Sequence, residues 1–140
     1  MEKFTSRLTL DMNWPAKLYT QNGMILDFSK PPEYRGMQGT MTPEDAFVSS
    51  VIMCLACTFD SIANKMRLRI LRYESEGLGT VNHVDGVEKF AEIRVKVKIT
   101  IPPETNKNSA GKAIDRARAN CLVAASISTP IEYDVSIESE

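Results

Sequence analysis

The sequence predicts an α+β fold in which antiparallel sheets pack around a long buried central helix, and three observations carry that expectation. Apolar and polar residues alternate near both ends of the chain and again in "FAEIRVKVKITI", the period of half-buried strands. One apolar run of helical length, Ala46 to Ala63, follows a helix-start sequence, "TPED". Strand-like and helical segments come in blocks rather than in strict alternation. With 140 residues, 43% apolar and 25% charged, a single domain over residues 1–140 is expected, large enough to bury a core without disulfide or metal staples.

Taken in order, Phe4, Leu8, Leu10, Met12 and Trp14 oppose Thr5, Arg7, Thr9 and Asp11 along one strand that Pro15 ends. Asn22-Gly23 then separates two strand-like runs and suits a tight hairpin turn, so a three-stranded antiparallel start is expected. "SKPPEYRGMQGTMTPED" is the one long irregular stretch, and such loops are often functional. Thr42 caps a helix with Pro43 at its first position and Glu44 and Asp45 in its first turn, running to about Met66. Val51 to Cys57 is apolar on every side, which predicts cover all round, supplied in part by a second subunit. "RLRILRYESEGLGTV" and "FAEIRVKVKITI" form strands joined near Asp85-Gly86; a second helix runs from Ser109 to about Asn120, "LVAASIS" continues or restarts it, and "IEYDVSIE" is a final strand.

Several function classes are disfavoured. The N-terminus lacks the basic end and apolar run of a secretory signal, so a cytoplasmic protein with reduced thiols is expected. Ser49, Ser50, Thr58, Asp60 and Ser61 interrupt the apolar run, which argues for a core helix and against a membrane span. Arg94, Lys96 and Lys98 make a basic strand face, but Glu132, Asp134 and Glu138 alternate likewise on the last strand and no aromatic residues interleave, so no nucleic-acid partner is expected.

The chemistry centres on Cys54 and Cys57, one helical turn apart, and on Cys121. Cysteine usually packs as a small hydrophobe, and burial raises a thiol's pKa while nucleophilic attack needs the thiolate. Lowering a thiol from about 8.5 to about 6 takes roughly 3.4 kcal/mol. One guanidinium at about 4 Å offers roughly 4 kcal/mol at an effective dielectric near 20. Arg35, in the loop before the helix, is the arginine nominated, with the Glu44 carboxylate to hold it. A zinc site from Cys54, Cys57, Cys121 and His83 is the weaker reading, because Cys121 has no close second ligand and His83 sits in a turn-like segment.

An arginine in the loop, "PE" opening the buried helix, Cys54 eleven residues after Pro43 and Cys121 in a second helical region together resemble the OsmC/Ohr family of osmotically inducible and organic-hydroperoxide-resistance proteins. "GTMTPEDAFVSSVIMC" carries most of the likeness. The resemblance implies a thiol-dependent peroxidase working as an intertwined homodimer without a cofactor or metal. It makes Cys54 the peroxidatic cysteine, Cys121 the resolving cysteine, Arg35 the stabiliser of the thiolate and Glu44 its partner, and it leaves Cys57 without a role. It further implies an organic hydroperoxide as substrate and an external dithiol as reductant. "GTMTPE" has one residue more than the family pattern, Leu122 stands where proline often follows the resolving cysteine, and the Gly-Asp-Gly loop of the Ohr branch is absent, which places the likeness on the OsmC-like branch. The competing reading is a noncatalytic dimeric binding protein with an apolar interface pocket.

Overall fold

The structure, a computed structural model, describes all residues from Met1 to Glu140. The chain divides into two compact units, Met1–Phe47 and Val48–Glu140.

The first unit holds the antiparallel sheet β1 (Ser6–Thr9), β2 (Ala16–Thr20) and β3 (Ile25–Phe28), in that order. At Asn22-Gly23 the chain turns as expected, Gly23 taking φ +90° and donating its N–H to the Thr20 carbonyl at 3.0 Å. The expected burial of one face of the first strand is not met: β1 is only four residues long and wholly exposed, with Phe4 81% and Leu8 57% accessible. Alternation says that two faces differ, not that anything in the same chain covers one of them. The irregular stretch is nevertheless ordered around Ser29, a buried residue whose hydroxyl accepts from the Met37 N–H at 3.0 Å, donates to the Lys30 carbonyl at 2.9 Å and lies 2.7 Å from Thr40 Oγ1. A short 3-10 turn, Pro32–Tyr34, ends at Arg35, and a side chain on the next residue, Gly36, would run into the Lys30 carbonyl at 1.4 Å.

Helix α1 (Pro43–Lys65) starts as the sequence predicts, with the Thr42 hydroxyl accepting from the Asp45 N–H at 3.0 Å. The second unit continues with β4 (Arg72–Val84), β5 (Val87–Ile101), α2 (Lys107–Asn120), α3 (Leu122–Ala125) and β6 (Ile131–Ser139). β4 and β5 form a long antiparallel hairpin through Asp85 and Gly86, both at positive φ. β6, by contrast, runs parallel to β5, so the sheets are not antiparallel throughout. The physical reason is the connection: α2 and α3 form a helical crossover, which returns the chain to the end where β5 began. α2 starts two residues before the expected Ser109 because Asn106 caps it, accepting from the Ser109 N–H at 3.1 Å.

The core of the second unit lies on the inner face of this sheet. Ile93, Val95, Val97, Ile99 and Ile101 of β5 are each at most 3% accessible. Val51, Leu55, Phe59 and Ala63 of α1, every fourth residue, and Ala110, Ala113, Ile114 and Ala117 of α2 complete it. Gly77 lets α1 come close: a Cβ there would stand 2.9 Å from Val48 Cγ1 and 3.0 Å from Ile52 Cγ2. The all-round cover expected for α1 is not supplied by this chain, since Met53 is 58% accessible and Cys57 is exposed. By length and composition alone α1 would also suffice to cross a membrane, as core helices can, with mean hydropathy 1.8. On the outer face the two charge rows pair across strands, Arg94 with Glu132 at 3.6 Å and Lys98 with Glu138 at 3.4 Å.

Candidate functional site

Midway along α1, Cys54 is half-buried, and the fold brings Cys121 to it. Cys121 is 2% accessible and occupies the single extended residue (φ −71°, ψ 113°) between α2 and α3. Because the helix stops and restarts there, the first amides of α3 have no helical acceptor. The N–H groups of Val123 and Leu122 turn instead to the Cys54 sulfur.

The balance of forces on Cys54 follows from that placement. Burial pushes the thiol up, but the Val123 N–H, the Cys121 S–H, the Thr58 hydroxyl and the Leu122 N–H together outweigh it and hold the thiol below its ordinary 9.0. Thr58 is the least dependable of these donors. Its single proton goes to the Cys54 carbonyl at 2.8 Å, and it reaches the sulfur only by turning away from that bond. Cys121 moves the other way: burial raises it, the Ala124 N–H offsets part of that, and the hydrogen bond and charge of Cys54 raise it further. Two adjacent thiols are thus driven apart, one toward the anion and one toward the neutral form, the arrangement in which one sulfur attacks and the other donates.

Two tyrosines border the pair. Burial pushes Tyr73 up to about 12, with the nearby Cys121 adding to the effect. Burial and the same two thiols raise Tyr133, against the pull of Arg118, whose guanidinium stacks 4.4 Å from the Tyr133 ring centre.

The remaining nominated residues are placed as follows. Arg35 is exposed, caps the 3-10 turn in the left-handed region at φ 68° and donates its N–H to the Pro32 carbonyl at 3.0 Å. Glu44 is exposed in the first turn of α1. Neither belongs to the chain's ion pairs. Cys57 faces outward, and His83 is exposed near the end of β4; no three His, Cys, Asp or Glu side chains are grouped to hold a metal ion. Sequence reasoning missed the donors. Thr58, four residues after Cys54, was legible as a helix-face neighbour. The Leu122 and Val123 amides were not, since nothing in "NCLVAAS" marks the break.

With that geometry in place, comparison with known proteins is informative. A family model described as OsmC-like protein matches residues 36–136. No curated protein matches the chain. Among solved structures, an OsmC-like protein of unknown function from Vibrio cholerae superposes with TM-score 0.87 at 18% identity, covering 97% of this chain and 100% of that one. An OsmC-like protein from Mycoplasma pneumoniae gives 0.82 at 16%, covering 98% of each. An organic hydroperoxide resistance protein from Legionella pneumophila gives 0.70 at 19%, covering 99% and 98%. At such identities these structures establish the fold.

Proposed function

The chain belongs to the OsmC-like protein family, and from that premise we propose that it is a thiol-dependent peroxidase that reduces organic hydroperoxides. The observation that carries the reading is the pairing of Cys54 with Cys121 beside amide donors that favour the Cys54 anion. The substrate class follows the name of the Legionella relative.

In this reading the Cys54 thiolate attacks the terminal oxygen of the hydroperoxide. The S–O bond forms, the O–O bond breaks, and the alkoxide leaves as an alcohol on taking a proton. The Cys54 sulfenic acid then condenses with Cys121, giving a disulfide and water. An external dithiol restores both thiols by exchange, and no cofactor takes part. Arg35 adds its charge to the stabilisation of the thiolate, and Glu44 holds the guanidinium. The working unit is an intertwined homodimer in the cytoplasm, free of membrane and nucleic acid. Two features support the dimer: the uncovered side of α1 with Met53, and the exposed apolar residues of the β1 region.

Mass spectrometry after one equivalent of cumene hydroperoxide tests the reading. A loss of two hydrogens with Cys54 linked to Cys121 is expected. Cys54→Ser should abolish peroxide consumption, while Cys121→Ser should react once and stop. An unreactive Cys54 would favour the noncatalytic binding protein, and a link from Cys54 to Cys57 would overturn the assignment of Cys121.

A further inference from the structure

The inference rests on the peroxidase reading and concerns its second step. Tyr73 lies on the inner face of β4, opposite Ile99 of β5, with its ring 5.2 Å from that of Phe59 in α1. Its hydroxyl is buried and makes no hydrogen bond; no other buried side-chain polar atom of the chain is in that condition. Native structures seldom leave such a group without a use. The neighbour is informative: Cys121, equally shut off from water, lies within electrostatic reach of this hydroxyl.

We propose that Tyr73 donates a hydrogen bond to the Cys121 sulfur when that sulfur becomes a thiolate, and so promotes its attack on the Cys54 sulfenic acid. Cys121 gives up its proton, the thiolate attacks the Cys54 sulfur, the S–S bond forms and the S–O bond breaks. Hydroxide leaves and recovers a proton as water, the organic hydroperoxide having supplied the oxidising equivalent. The groups facing Cys121 are Cys54 of α1, the Val123 and Ala124 amides of α3, Tyr73 of β4 and Tyr133 of β6, with Arg118 of α2 stacked on the last. Once Cys54 is a neutral sulfenic acid its opposing charge is gone, and burial is the obstacle left. Tyr73, held up to about 12, keeps its proton at neutral pH and remains a donor.

Tyr73→Phe tests this. Sulfenic acid formation, trapped with dimedone, should keep its rate. Disulfide formation should slow about tenfold, with its pH midpoint moved up by about one unit, as expected on removing a hydrogen bond to a charged group. The melting temperature should not fall, because the hydroxyl lost has no partner. In a Cys54→Ser, Cys57→Ser background, ultraviolet titration of the lone Cys121 thiolate should show the same upward shift without any peroxide, which separates failure of this inference from failure of the peroxidase reading. An unchanged Cys121 midpoint, an unchanged condensation rate or a marked loss of stability would each overturn it.

Discussion

The two sheets use the same alternating pattern to different ends. In the β4-β5-β6 sheet five successive inward residues of β5 are sealed off by α1 and α2, whereas in the β1-β2-β3 sheet Ala16 alone is a buried apolar residue and Leu8 and Ile25 face outward. The second unit thus carries its own core and sets the thiol pair on it. The first carries an ordered polar loop around Ser29, and its apolar residues await cover from outside the chain.

The comparison can be broken most forcefully by core truncation. Ile99→Ala should cost about 2–5 kcal/mol in chemical denaturation, while Leu8→Ala should stay within about 0.5 kcal/mol in a monomer. A Leu8→Ala loss that grows with protein concentration would show that a second copy covers the first sheet. Next in size is the seat of α1 on β4: Gly77→Ala sets a Cβ against Val48 and Ile52 and should cost about 1–3 kcal/mol as overpacking. An effect near zero there would mean that α1 shifts freely on the sheet.

Much of this was legible in the sequence. Thr42 and Pro43 locate the start of α1 and Asp85-Gly86 the long hairpin, because caps and turns depend on a few adjacent residues. The matched charge rows of β5 and β6 were likewise readable. The direction of β6 was not, since alternation is the same whichever way a strand runs and the crossover decides it. At the site, Cys54 and Cys121 were found through family likeness. The reasoning had required a cation beside Cys54, yet neutral amides at the α2–α3 break already lower its pKa, and that depends on a one-residue interruption with no glycine or proline to announce it.

The most direct test is the pH dependence of Cys54 alkylation by iodoacetamide in a Cys57→Ser background. The midpoint should fall below the ordinary 9.0 and rise again in Cys121→Ala, which removes one donor while leaving the amides. A midpoint at or above 9.0, unmoved by Cys121→Ala, would contradict the account.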